Sequence, residues 1–431
     1  MDLSARPGPL RERARALLEA NTRQGECGGR RYTYTVPSAR SYPFQWFWDS
    51  CFHAIAWTYF DVERAAAELR SLLAWQRPDG FIPHVIFWDR RRAMQQTWHY
   101  LESAGWLAFP LLPVERGKPA TSELMQPPVL AQAVERVFEA GAGESFLREV
   151  VPAVLRYHRW LLAMRDPDGD GLIAILAPSE SGLDYSPAFD AALGLGRNPG
   201  PTRLATAMRL VTLRNKLTGW SSRRLAQGRA VFAVEDVLVN SCLISGLDAT
   251  ARLARLAGDE AGAAWAEAQA ARSLGALLER SYDAEVGAFR NLDGPAETPA
   301  PVLTVGSLMP LMLGALPRAV VEALVARQLT RPDGFWARFP VPSVPLFEPE
   351  FRADSRPGGA ERIWRGGTWI NTNWLLARGL RLHGFDDEAD AIARASRELV
   401  ERHGFREYFN PLTGEPGGAS GFGWSTLVID M

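Results

Sequence analysis

Val62-Glu63-Arg64-Ala65-Ala66-Ala67-Glu68-Leu69-Arg70-Ser71-Leu72-Leu73-Ala74-Trp75 is followed, after Gln76, by Arg77-Pro78-Asp79-Gly80-Phe81. Its apolar residues recur at i, i+3, i+4 and i+7, the spacing that lays one stripe of an α-helix against a core. In the segment that follows, proline and then Asp-Gly suit a tight turn with a positive φ at the glycine. The same word returns at Arg331-Pro332-Asp333-Gly334-Phe335, and Asp166–Ile173 and Tyr282–Gly287 play the same part. Helical spacing also runs through Arg11–Ala20, Val129–Glu139, Phe146–Met164, Thr202–Leu217, Val234–Leu256, Gly262–Tyr282, Arg318–Gln328, Ile370–Leu382 and Asp386–His403. Short strand pairs are expected only around Tyr32–Tyr34 and Ile82–Ile86. A helix, a turn, an extended apolar segment and another helix, repeated, is how helical hairpins stack into a closed ring. The irregular spacing argues against a solenoid of fixed period. The expectation is an all-α fold with short β segments in loops, as a single domain over 1–431. Inserted loops are expected near 188–203 and 340–360, with Pro340–Pro357 read as a long functional loop.

The chain has 431 residues, 47% of them hydrophobic, ample for a large core, and a formal net charge of −1. That charge gives no footprint for nucleic acid or an anionic membrane. The N-terminal arginines have no apolar run beside them, so no secretory signal is read, and no apolar stretch is judged long enough to span a bilayer. Cys27, Cys51 and Cys242 are odd in number and widely spaced; Cys51 and Cys242 are expected to be buried thiols. These features predict a soluble cytoplasmic protein. No nucleotide or redox cofactor is expected, since no Gly-rich phosphate loop appears. Asp166, Asp168, Asp170 and Gly171 open like a calcium-binding EF-hand loop, but the twelfth position, which should be glutamate, is Ala177. The segment is therefore read as a polar turn, and no metal is expected.

The aromatic and acidic residues are more telling. Of 15 tryptophans, Trp46, Trp48, Trp57, Trp75, Trp88, Trp98 and Trp106 fall in one stretch, and Trp364, Trp369 and Trp374 in another. Indole faces suit sugar rings, although Trp57, Trp75, Trp160 and Trp265 read as core. Two carboxylates sit in unusual local sequences: Asp184 in Glu180-Ser181-Gly182-Leu183-Asp184-Tyr185-Ser186-Pro187, and Glu407 in Arg406-Glu407-Tyr408-Phe409-Asn410-Pro411, just before Gly421-Phe422-Gly423-Trp424. Acid–base cleavage of a glycosidic bond needs two such groups, one protonated and one ionised.

With these two runs, five further segments complete a pattern: Tyr42-Pro43-Phe44-Gln45-Trp46-Phe47-Trp48-Asp49, Gly80-Phe81-Ile82-Pro83-His84, Gln126-Pro127-Pro128, Val234-Glu235-Asp236-Val237 and Trp364-Arg365-Gly366-Gly367-Thr368-Trp369. In this order the chain resembles glycoside hydrolase family 63, specifically the small bacterial branch of glucosylglycerate and mannosylglycerate hydrolases. The resemblance implies an (α/α)6 toroid, an inverting mechanism and a central pocket. It implies Asp184 as general acid and Glu407 as general base; on the residues, Glu415 is the rival base, because it also precedes Gly421-Phe422-Gly423-Trp424.

On the residues, Asp49 suits a bidentate grip on two sugar hydroxyls, against a helix cap near Ser50. Tyr42, Trp46 and Trp369 would wall the sugar, Gln126 would bond a hydroxyl, and Trp48 would either join them or be core. Arg365 would pair with a catalytic carboxylate or with a structural acid. Glu235 and Asp236, on an apolar helix, are expected to cap a neighbouring loop through backbone N–H groups. Arg197 and Arg203 are candidates to hold an aglycone carboxylate. Relative to the glucosylglycerate hydrolases, Gly194–Arg203 lacks a tyrosine and Ile363 replaces an aromatic, both on the leaving-group side.

The expected activity is inverting hydrolysis of a small α-glucoside or α-mannoside of the compatible-solute type, mannosylglycerate or glucosylglycerate. Its partner is a small carbohydrate, without nucleic acid or membrane; oligomeric state is left open. The alternatives are an α-glucosidase on short gluco-oligosaccharides, a sugar isomerase or epimerase working with histidines, and a catalytically silent sugar-binding protein.

Overall fold

The structure, a computed structural model, describes residues 9–88, 119–166, 168–217, 222, 228, 230–354 and 363–431. Trp98, Trp106 and the end of the Pro340–Pro357 segment lie outside the described residues.

The main helices are α1 (Pro9–Asn21), α2 (Phe47–Trp57), α3 (Val62–Leu73), α4 (Leu130–Val137), α5 (Gly143–Arg165), α6 (Pro201–Leu217), α7 (Val237–Leu256), α8 (Glu260–Ala276), α9 (Arg318–Ala323), α10 (Ile370–Leu382) and α11 (Asp386–His403). The opening stretch folds as its pattern demands. Asp61 accepts a hydrogen bond from the Arg64 N–H at 3.0 Å and so caps α3. The turn after it closes with Gly80 N to Arg77 O at 2.9 Å, Gly80 standing at φ +106°. At the second copy of the word, Gly334 N bonds Arg331 O at 3.0 Å and Gly334 has no positive φ. A turn in which the glycine is the fourth residue does not demand one.

A regular alternation organises the hairpins. All 11 residues of α2 are buried, as are 15 of the 20 in α7 and 10 of the 13 in α10. Each is joined by a short connector to a partner buried on one face only: 6 of 12 in α3, 6 of 17 in α8, 6 of 18 in α11. One member of each pair is thus interior and the other faces outward. By length and composition α7 is apolar enough to cross a membrane, yet 83% of the relevant window is buried inside the protein, as in a core helix.

The sheets are small. Thr22–Cys27 (β1) pairs antiparallel with Arg30–Thr35 (β2), and Gly28 and Gly29 both have positive φ, as a two-residue hairpin turn requires. Gln45–Trp46 (β3), Val85–Phe87 (β4) and Ala120–Thr121 (β5) form a three-stranded sheet. Ala174–Ile175 (β6) and Val234–Glu235 (β7) belong to a four-stranded one, with Ala174 opposite Glu235. The expected helix from Val234 therefore begins only at Val237. The three residues before it are taken by the strand, Val234–Glu235, and the cap, Asp236. The apolar residues from α1 to the C-terminus form one continuous core.

Candidate active site

Two of the buried helices, α2 and α10, present their N-terminal ends to a common cavity. Trp46 is the N-cap of α2 and Trp369 the N-cap of α10; Gln126 lies just before α4. The cavity encloses about 620 Å³ including its mouth, within the range of small-molecule sites. Tyr42, Trp46, Trp48, Asp49, Gln126, Asp184, Trp369 and Glu407 all line it. Eight of the nine expected site residues are brought together from segments spanning most of the chain.

The loop bearing Asp184 is riveted from below. Glu180 makes a bidentate pair with Arg165 (2.6 and 2.7 Å) and accepts the N–H groups of Met125 (3.0 Å) and Leu176 (2.7 Å). Both side chains are fully buried, so the pair fixes the short turn Pro178–Ser181 against its surroundings. Gly182 then turns with φ +72° against the Trp48 ring, where a Cβ would collide. Asp184 opens on the cavity. Burial, and next the charge of Glu407, push its carboxyl up to about 7.

Glu407 lies on the strand Arg406–Phe409, 5% exposed. Its Oε1 accepts the Tyr42 hydroxyl at 3.0 Å and its Oε2 accepts the Ala419 N–H at 2.7 Å. The facing residue, Gly418, has φ +63°, and any side chain there would run into the Glu407 carboxylate. Glu415 is exposed and outside the cavity lining.

Asp49 is no cap: it sits inside the first turn of α2, 2% exposed, with Oδ1 lacking any hydrogen-bond partner among the described residues. Burial first, and then the Glu407 charge, hold its carboxyl well above the usual carboxylate range. A buried acceptor left open on a cavity is poised for ligand hydroxyls. Gln126 Oε1 accepts the Trp48 N–H at 3.1 Å, which turns its amide nitrogen into the group that could meet a ligand in the cavity it lines. Trp48, 3% exposed, is both core and cavity wall, edge-on to Trp424 at 5.6 Å. Trp369 is stacked on Trp364, with ring centroids 3.6 Å apart and planes at 9°.

Three expectations are corrected. Arg365 does not reach the cavity: it is locked to Asp190, Nη1–Oδ2 3.0 Å and Nη2–Oδ1 2.5 Å, in a buried pair. Its geometry chose the structural acid. Arg197 is engaged by Glu350 and Glu348, Arg203 is exposed on α6, and neither lines the cavity. Asp236 caps α7 through the Val239 N–H at 3.0 Å, but Glu235 caps nothing and its Oε2 is buried without a partner among the described residues.

Several cavity residues were passed over. His84, whose segment stood out only as part of the pattern, bonds Ser122 through Nδ1, lies edge-on to Trp46, and is pushed down by burial to about 3. A histidine kept neutral in this way is a poor proton shuttle, which weighs against an isomerase. Trp364 lines the wall with φ +63°, a costly backbone for an indole residue. Behind Asp49, Glu68 accepts the Ser50 hydroxyl and the Thr35 N–H, each at 2.6 Å, and holds the start of α2. As one of a helix's polar residues, Glu68 gave no signal in the sequence.

Comparison with known proteins identifies the family. The family described as Mannosylglycerate hydrolase MGH1-like glycoside hydrolase domain matches residues 42–425. The mannosylglycerate hydrolase of Thermus thermophilus is 34% identical over 427 residues, 92% of this chain and 96% of that protein. The glucosylglycerate hydrolase of Mycolicibacterium hassiacum is 28% identical over 469 residues, 99% of this chain and 98% of the other. The crystal structure of a GH63 mannosylglycerate hydrolase from Thermus thermophilus with Tris and D-glycerate has a TM-score of 0.82 to this fold at 32% identity. That match covers 98% of this chain and all of the other. The chain is therefore a glycoside hydrolase and belongs to the mannosylglycerate hydrolase MGH1-like family.

Proposed function

We propose that the protein is an inverting α-glycosidase that cleaves mannosylglycerate, glucosylglycerate or both, with Asp184 as general acid and Glu407 as general base. The observation that carries this is the asymmetry of two carboxyls on one cavity. Asp184 is pushed up to about 7 by burial and by Glu407, so it keeps its proton near neutrality. Glu407 accepts two donors, the contacts of an ionised carboxylate. Asp184 protonates the glycosidic oxygen as the bond to the anomeric carbon breaks. Glu407 takes a proton from a water that attacks the opposite face, which needs roughly 6.5–9.5 Å between the carboxyl groups. Asp49 grips two hydroxyls of the sugar, Gln126 donates to a third, and Tyr42, Trp46 and Trp369 wall the ring. The alternation of interior and outward helices supports an (α/α)6 arrangement around this pocket. The glycerate leaving group rests on the relatives' substrates.

Proton NMR of the enzyme with each glycerate glycoside tests the reading from the first minutes of reaction. Release of the β-anomer of mannose or glucose, abolished in Glu407→Gln, is expected. Release of the α-anomer would replace the inverting mechanism, and turnover in Glu407→Gln would move the base elsewhere.

A further inference from the structure

Two side chains outside the cavity lining, Asp190 and Arg365, join the segments that carry Asp184 and Glu407. Asp190 stands six residues after Asp184, and the chain between them has no slack. The Ser186 N–H bonds the Leu183 carbonyl at 2.8 Å, and those of Phe189 and Asp190 return to Ser186 and Pro187, each at 3.2 Å. Arg365 belongs to the run Trp364–Trp369. Its carbonyl accepts the Arg352 N–H at 2.7 Å, the Gly366 N–H donates to the Ser343 hydroxyl at 2.9 Å, and a Cβ on Gly366 would collide with the Arg352 carbonyl. Three residues on, Thr368 and Phe409 exchange backbone hydrogen bonds of 2.8 and 2.9 Å. Phe409 is two residues from Glu407 on one strand. The segment of Arg365 is thus stitched to the strand of Glu407.

The ion pair closes this path. Its two parallel bonds, Nη1–Oδ2 at 3.0 Å and Nη2–Oδ1 at 2.5 Å, join an arginine 1% exposed to an aspartate 5% exposed. A fork of this kind fixes direction as well as distance, which a single ammonium contact does not. Stability alone does not account for it. Desolvating two charges roughly cancels their attraction, and a packed apolar pair of similar volume often does as well or better. The same two segments meet again at the rim, where Arg197 pairs with Glu350 and Asn198 donates to the Pro349 carbonyl at 3.1 Å. The Arg197 side chain is exposed, and an exposed pair holds position weakly. The spacing therefore depends on the buried fork.

We propose that Arg365 and Asp190 are positioning residues, a buried strut that sets the distance between the loop of Asp184 and the strand of Glu407. This rests on the reading of those two carboxyls as acid and base. An inverting pair must leave room for one water beside the anomeric carbon, so its spacing is bounded above and below. A displacement of about 1 Å in one reacting group costs on the order of a hundredfold in rate. Loosening the strut also admits water to Asp184 and weakens the influence of Glu407 on it. Burial and the Glu407 charge are what raise that carboxyl to about 7, so both changes bring it down.

The test compares wild type with the double variant Arg365→Met/Asp190→Leu, which removes both charges together and leaves neither buried alone. Tm should stay within about 3 °C of wild type. With whichever of mannosylglycerate and glucosylglycerate the wild type cleaves, kcat should fall roughly 10–100-fold while KM stays within about threefold. The alkaline limb of the kcat profile should move at least about half a pH unit below its wild-type position. If the double variant does not fold, Arg365→Lys is read in the same ways, since it keeps the charge and loses the fork. A folded variant with wild-type kcat, a loss confined to KM, or a limb left in place would overturn the strut and spare the acid–base assignment. A wild type that cleaves neither compound, or shows no limb, would overturn that assignment and the strut with it.

Discussion

At the scale of single residues, the proposed chemistry depends on Asp184 keeping a proton that aspartate ordinarily gives up near pH 4. Its carboxyl, raised from 3.8 to about 7, is competent below that value and loses its proton above it. The rate constant kcat should therefore fall about tenfold per pH unit on the alkaline side of about 7, and a pH–rate profile would show the limb. An unbroken plateau to pH 9 would remove Asp184 from the role of acid. Gly418 makes the complementary point for Glu407, the proposed base. Its φ of +63° and its contact with Glu407 leave no room for a methyl group. Gly418→Ala should displace the carboxylate and lower kcat on the order of 10–100-fold, with a smaller effect on KM. Asp184 and Glu407 were legible because each stands in a distinctive run. Gly418 was not, because its constraint comes from a side chain eleven positions earlier that reaches it only across a strand pair.

At the scale of elements, the decisive structure is the start of α2, where Trp46, Trp48 and Asp49 are set. Glu68 reaches across from α3 to hold it through Ser50 and Thr35, and burial raises this carboxyl from 4.5 to about 8. A carboxyl raised in the folded state binds its proton more tightly than in the unfolded chain. The stability it contributes is full below about pH 4.5 and is lost as pH rises through about 8. Wild-type stability should drop across that window by on the order of 3–5 kcal/mol from this group. Glu68→Gln, which carries no titrating proton, should flatten the profile in pH-dependent urea unfolding. An unchanged slope would place the burial cost elsewhere. The helices themselves were readable from their apolar stripes, and so was the tight turn at Gly80. What the stripe of α3 did not disclose is that Glu68 points inward, since a charged residue in an amphipathic helix ordinarily faces water. The hairpin strand Thr22–Cys27 was missed for a similar reason: it alternates no apolar residues, and only Gly28-Gly29 marks it.

At the scale of the whole molecule, interior helices converge on one cavity of about 620 Å³ that is lined largely by aromatic rings and whose three carboxyls, Asp49, Asp184 and Glu407, come from distant parts of the chain. A space of that size takes a sugar and a small leaving group. The enzyme should therefore release no measurable reducing sugar from starch under conditions where a glycerate glycoside is consumed, and a reducing-end assay decides it. The sequence by itself determined the helical class, the principal turns and the two distinctive runs that carry Asp184 and Glu407, because periodicity, turn chemistry and short runs are local properties written in consecutive residues. Only the tertiary structure decided that Arg365 serves Asp190 and that Glu407 rather than Glu415 faces the cavity. Burial and the meeting of charges depend on which distant segments pack together, and no local spacing encodes that.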